Sequence, residues 1–124
     1  MSRILLAEDE EALRAFIARA LAQDGHEVVA AADGGEALDV LIREQGRFDL
    51  LLTDIRMPVM DGIALALAAA RDHPDLTILL MTGYADQRER VSGLEALICD
   101  VISKPFALAE IKFAVASALA KGKR

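Results

Sequence analysis

Phe48-Asp49-Leu50-Leu51-Leu52-Thr53-Asp54, followed by the loop Met57-Pro58-Val59-Met60-Asp61-Gly62, decides the fold. The run Leu50 to Leu52 has no polar partner in alternation, so both faces of the segment are apolar. A strand over Phe48–Thr53 of that kind belongs inside a sheet covered on both sides. It ends on an acid, Asp54. Pro58 and Gly62 then punctuate a loop before an alanine-rich helix that ends near His73-Pro74.

The same alternation extends in both directions. Upstream, Ile4-Leu5-Leu6-Ala7 is a first strand, ending on Glu8-Asp9. A helix follows, with Leu13, Phe16, Ile17, Ala20 and Leu21 on one face at three-four spacing and Gly25 as its stop. His26 to Ala31 is a second strand. Asp33 and Glu36 have capping-box spacing and open a helix with Ala37, Leu38, Leu41 and Ile42 inward, closed by Gly46. Downstream, Thr77 to Met81 is a fourth strand ending on Thr82-Gly83. Asp86 caps a polar fourth helix reaching about Leu97. Ile98 to Ser103 is a fifth strand, and Lys104-Pro105-Phe106 turns into a last helix carrying Leu108, Ile111, Val115 and Leu119.

Five strand-helix repeats imply a parallel α/β sheet with helices on both faces. Right-handed crossovers leave few topologies, and the flavodoxin-like order 2-1-3-4-5 suits 124 residues. In that order strands 1 and 3 are neighbours at the switch point, where ligands bind beyond the carboxyl ends. Glu8, Asp9 and Asp54 meet there, with Thr82 and Lys104 on the same edge.

Composition bounds the rest. Apolar residues make up 54% of the chain and aromatics 4%, which predicts an aliphatic core in one domain, residues 1–124, with 121–124 as a flexible basic tail. No apolar run approaches the ~20 residues of a membrane span, and acid follows the first four apolar residues, too soon for a signal peptide. The lone Cys99 excludes an internal disulfide or a cysteine zinc cluster and reads as a buried strand thiol. A net charge of −6 argues against nucleic-acid binding. These features imply a cytoplasmic protein.

Two carboxylates ~4 Å apart repel by about 4 kcal/mol at a near-surface effective dielectric. Three require protonation or a cation, and oxygen ligands without His or Cys select Mg²⁺ or Mn²⁺. Asp9 and Asp54 suit direct ligation, Glu8 direct or water-mediated ligation, and the Arg56 backbone carbonyl a further position. Asp54 is then placed to attack phosphorus as a carboxylate nucleophile and form an acyl phosphate. Lys104 is placed to pair a phosphoryl oxygen and the Thr82 hydroxyl to donate to another.

At Glu8-Asp9, Asp54, Met57-Pro58, Asp61-Gly62, Thr82-Gly83 and Lys104-Pro105-Phe106 the chain resembles the response-regulator receiver (CheY-like) family over essentially its whole length. The resemblance implies Mg²⁺-dependent phosphorylation of Asp54 by a histidine kinase or histidine phosphotransfer protein, and a cis Lys104–Pro105 bond. It is similar in particular to the CpdR-type single-domain regulators, in Arg3 to Asp9, Gly25 to Val29, Phe48 to Ile55, Met81 to Tyr84 and Lys104 to Phe106. That group implies an adaptor for the ClpXP protease in the cell cycle, contacting the ClpX unfoldase when unphosphorylated, with recruitment to a cell pole.

Two positions depart from the family pattern. Val101 stands where many members have a switching Tyr or Phe, which shifts the expected switching to Thr82. Glu8 replaces the commoner Asp. Arg56 and Tyr84 are expected to cover the phosphoryl group. With one helix after Lys104, output is expected through protein contact at a face including Arg88, Arg90, Val101 and Phe106, and no enzymatic turnover of outside substrates is expected. A phosphorelay intermediate or phosphate sink is the alternative. An aspartyl phosphatase ranks last, because Asp9-Glu10-Glu11-Ala12-Leu13 lacks the Asp-x-Asp-x-Thr/Val pattern of haloacid-dehalogenase-like enzymes.

Overall fold

The computed structural model describes residues 2–83 and 90–122. Its elements are β1 (Arg3–Ala7), α1 (Glu11–Gln23), β2 (Glu27–Ala31), α2 (Gly34–Arg43), β3 (Leu50–Asp54), α3 (Gly62–Asp72), β4 (Thr77–Thr82), β5 (Asp100–Ser103) and α4 (Leu108–Gly122). All strand pairs are parallel, in the order β2-β1-β3-β4-β5. This is the expected doubly wound arrangement.

The apolar runs are buried on both faces because alternate side chains enter two separate cores. Leu5, Leu51, Ile78 and Leu80 point towards Val40, Leu41 and Leu65 of α2 and α3. Ile4, Leu6, Leu50, Leu52, Leu79 and Met81 point to the other side, against Ile17 and Leu21 of α1 and Ile111 and Val115 of α4. The sheet is thereby fixed in register from both sides.

Helix ends follow local chemistry. The Asp33 side chain accepts from the Glu36 amide at 2.8 Å, and the Glu36 carboxylate accepts from the Ala32 amide at 2.8 Å. The capping box therefore forms, with its return bond one residue upstream of the usual position. At the end of α1 the Gly25 amide donates to Ala22 O (3.0 Å) and the His26 amide to Leu21 O (3.2 Å), a Schellman closure with Gly25 at φ 89°. His26 is used in that closure, so β2 starts one residue later than expected. Gly46 closes α2 as anticipated, although Gln45 already enters the left-handed region at φ 58°.

Several expectations need correction. Ile42 is 64% exposed and Phe16 43% exposed, both at the margins of their helices' buried stripes, and Leu108 is also exposed. Cys99 is half-buried and lies just before β5. Among the described residues of the expected fourth helix, only Arg90 and Val91 are helical. The chain then goes through turns to Leu97, with Gly93 at φ 92°. A residue in that conformation ends an α-helix. The Asp86 cap lies outside the described residues. Lys121 and Gly122 form the last turn of α4, with Gly122 against Thr77, and Lys123 and Arg124 are outside the described residues.

Gly62 couples the fold to the sheet edge. A Cβ there would lie 1.9 Å from Asp54 O and 2.8 Å from Asp54 C, backbone atoms that have nowhere to go. Nothing lies within 4 Å of a Cβ built on Gly93. Gly93→Ala is therefore expected to lose only the left-handed preference, about 1 kcal/mol. Gly62→Ala is expected to lose about 3 kcal/mol by overpacking. Urea unfolding of both variants checks the order, and equal losses would contradict the close approach at Gly62.

Candidate functional site

Parallel pairing aligns Ala7 with Thr53 and Asp54 with Met81, so Glu8 leaves β1 beside Asp54 at the end of β3. Thr82 ends β4 and pairs with Ser103, and the Lys104 amide donates to Thr82 O at 2.7 Å. Four neighbouring strand ends thus deliver Glu8, Asp54, Thr82 and Lys104 to one edge. The Lys104–Pro105 peptide is cis.

The Lys104 ammonium donates to Glu8 Oε1 and to Asp54 Oδ2, each at 2.9 Å. Glu8 is 1% exposed and Asp54 6%, while Asp9 is exposed. Asp54 Oδ1 accepts from the Ile55 amide at 2.9 Å, and Glu8 Oε2 from the Glu10 amide at 3.0 Å. Arg14 Nη1 reaches the Glu8 carbonyl at 2.9 Å and fixes the turn between β1 and α1. Thr82 is buried at the same edge.

Burial dominates the electrostatics. It pushes the Asp54 carboxyl above the usual carboxylate range, with the Lys104 and Ile55 hydrogen bonds opposing it and the Asp9 charge adding to it. The Glu8 carboxyl is likewise pushed up by burial, against the pull of Lys104 and the Glu10 amide. For Lys104 burial is the largest single influence and acts downward, but its bonds to Glu8 and Asp54 and their charges together raise it above the ordinary lysine value. The lysine stays an ammonium between two carboxylates.

One oxygen from each of Glu8, Asp9 and Asp54 lies within 4.8 Å of the others. An all-oxygen cluster of this size suits a small hard cation. The cluster opens into a cleft of about 380 Å³, lined also by Glu10, Arg56, Gly83 and Lys104. An apolar hollow of about 360 Å³ adjoins it, with Leu13, Pro105 and Phe106 in its wall. Val101 lies away from this edge, half-buried and packed against the core on the α2–α3 side.

All of Glu8, Asp9, Asp54, Arg56 and Lys104 line the cleft, and Thr82 stands beside it. Tyr84 and Arg88 fall outside the described residues. The sequence reading missed the Glu10 amide, the Arg14 guanidinium and the Arg90–Asp61 ion pair (2.6 Å), in which Asp61 also caps α3 through the Ala64 amide at 2.9 Å. Asp61-Gly62 before a helix carried a capping signal. A lone arginine on a helix face carries none.

The chain matches the response regulator receiver domain family over residues 4–116. It is 42% identical over 111 residues to the response regulator receiver protein CpdR of Brucella abortus (strain 2308), covering 90% of this chain and 91% of that protein. It is 39% identical over 109 residues to the response regulator MprA of Mycobacterium avium (strain 104), covering 88% of this chain but only 47% of that protein, so it spans about half of MprA. Among solved structures it is similar to a CheY-like receiver protein of Methanospirillum hungatei JF-1, with a TM-score of 0.88 and 30% identity over 98% of this chain and 96% of that one. It is also similar to TrrA of Thermotoga maritima in complex with Mg²⁺–BeF, with a TM-score of 0.84 and 30% identity over 95% and 99% of the two chains. Strand order, the acid-lysine edge and the family match over residues 4–116 agree: the chain belongs to the response regulator receiver domains of two-component signalling.

Proposed function

We propose that Asp54 is the phosphoacceptor of a switch that acts by protein contact, taking phosphate from a histidine kinase or histidine phosphotransfer protein. The observation that carries this reading is the Lys104 ammonium 2.9 Å from Asp54 Oδ2, in a cleft open to a donor. A carboxylate oxygen of Asp54 forms the new P–O bond while the P–N bond to the donor histidine breaks and its electron pair returns to the imidazole. Such transfer depends on positioning and charge neutralisation more than on covalent help.

Lys104 supplies one positive charge for the phosphoryl oxygens, and the Thr82 hydroxyl donates to another of them. Asp9 and Asp54 would hold Mg²⁺, or Mn²⁺, with Glu8 and the Arg56 carbonyl at the same cluster. The metal, when bound, supplies the remaining charge neutralisation. That TrrA is solved in complex with Mg²⁺–BeF supports this assignment. Arg56, on the cleft wall, shields the phosphoryl group from water. The protein turns over no outside substrate in this reading.

Moving a two-state surface from 1:99 to 99:1 takes about 5.5 kcal/mol of differential interaction, which the phosphoryl contacts can supply in large part. Val101 has no ring to flip, so Thr82 transmits the change to the face around Arg90, Val101 and Phe106. The similarity to CpdR supports an adaptor that controls ClpXP proteolysis in the cell cycle, in contact with ClpX and at a cell pole. No helix among the described residues is long and apolar enough to cross a membrane, which fits a cytoplasmic switch.

With acetyl phosphate and Mg²⁺ the protein should gain the mass of one phosphoryl group, and with excess EDTA none. Asp54→Asn should gain none in either condition, as read by intact-protein mass spectrometry. Full labelling of Asp54→Asn would overturn the assignment. Immobilised unphosphorylated protein should retain purified ClpX, and the phosphorylated form should release it. Equal failure of both forms to retain ClpX, with phosphate passed on to a histidine phosphotransfer protein, would leave a phosphorelay intermediate or phosphate sink instead.

A further inference from the structure

β3 runs Leu50-Leu51-Leu52-Thr53 before Asp54, and Thr53 is fully buried between Ala7 of β1 and Leu80 of β4. By alternation its side chain lies on the same face as Leu51, towards α2 and α3. A valine of nearly the same shape would fill that place with no polar group to desolvate. The Thr53 hydroxyl instead donates to Asp54 O at 2.9 Å, with the thioether of Met57 at 4.0 Å as a second acceptor.

Asp54 O belongs to the Asp54–Ile55 peptide, and the other end of that peptide holds the carboxylate. The Ile55 amide is shared: it donates to Asp54 Oδ1 at 2.9 Å and to Met81 O of β4 at 3.1 Å. A trans peptide is planar with its carbonyl and N–H on opposite sides, so a group that holds the oxygen also sets where the hydrogen points. Gly62 sits against the same oxygen, a Cβ there lying 1.9 Å from it. With Oδ1 on the Ile55 amide, Oδ2 meets Lys104 Nζ at 2.9 Å in the cleft.

We infer that Thr53 is a positioning residue for phosphoryl transfer: its hydroxyl fixes the tilt of the Asp54–Ile55 peptide and, through the Ile55 amide, the rotamer in which the Asp54 carboxylate faces the cleft. The inference rests on the reading of Asp54 as phosphoacceptor and adds a group buried beneath it, closed to solvent and donor alike. The shared amide carries the argument. A three-centre bond divides between its acceptors by angle, so a small rotation of the peptide hands the hydrogen to Met81 O and frees the carboxylate to turn. The hydroxyl, acting on the far end of the same plane, opposes that rotation. Reaction geometry of this kind is sensitive, since a displacement of about 1 Å costs on the order of a hundredfold in rate.

Two pairs of proteins isolate the hydroxyl: wild type against Thr53→Val, and Thr53→Ser against Thr53→Ala. Phosphorylation by acetyl phosphate at saturating Mg²⁺ is followed by intact-protein mass spectrometry, and the Ile55 amide by ¹H–¹⁵N NMR without metal. Thr53→Val should lower the phosphorylation rate constant at least about fivefold, with the Mg²⁺ dissociation constant within about twofold of wild type. Thr53→Ser should react within about twofold of wild type, and Thr53→Ala, which adds no bulk, should be as slow as Thr53→Val. The Ile55 amide proton should lie further downfield in wild type and Thr53→Ser than in Thr53→Val and Thr53→Ala, because a carboxylate deshields it more than a carbonyl does. Equal rates in Thr53→Ser and Thr53→Ala would overturn the inference, as would one Ile55 amide position shared by all four proteins. If wild type took up no phosphoryl group, the phosphoacceptor reading would fall, and the Ile55 amide positions would still decide whether Thr53 sets the carboxylate.

Discussion

The rest of the site depends on one constraint: the ammonium of Lys104 between two buried carboxylates carried by strands β1 and β3. Parallel pairing places Glu8 and Asp54 side by side, and burial works against both charges. Two such groups without a cation would be strongly unfavourable in that environment. Lys104 donates to both at 2.9 Å from the end of β5, which β4 separates from β3. The strand order thus brings these charges together as well as forming the core.

The backbone around Asp54 is held as firmly as its side chain. The Ile55 amide donates to Asp54 Oδ1, and Ile55 O accepts from the Gly62 amide at 2.7 Å. Gly62 sits directly on the Asp54 carbonyl, in a place no larger residue fits. Asp61 then caps α3 and pairs with Arg90 at 2.6 Å. Asp54 is thus connected to Arg90 through Ile55, Gly62 and Asp61, and Thr82 stands at the neighbouring end of β4. Packed elements of this kind move between discrete arrangements rather than deforming gradually.

Much of this was legible in the residues. The uninterrupted runs at Ile4–Ala7, Leu50–Leu52 and Ile78–Met81 announced strands buried on two faces, and the polar residues that end them announced the edge. Asp33, Gly25 and Gly46 marked helix ends because their chemistry is local. What failed depends on distant packing. Ile42 and Phe16 fit an amphipathic stripe, but the width of that stripe is set by the sheet beneath, and both fall outside it. The fourth helix gave way after Val91, where Gly93 adopts a conformation that the polar pattern around it did not signal. Glu8 was read as a metal ligand, direct or through a water, and not as a partner of Lys104. Its partner stands 96 residues away, and nothing nearby in the chain reveals that pairing.

The central claim is that Lys104 and Asp54 act as one electrostatic unit. A double-mutant cycle for folding stability, combining Asp54→Asn with Lys104→Met in metal-free buffer, measures that unit directly. A coupling energy of about 2 kcal/mol is expected for a buried, hydrogen-bonded pair. Strict additivity of the two substitutions would contradict the account.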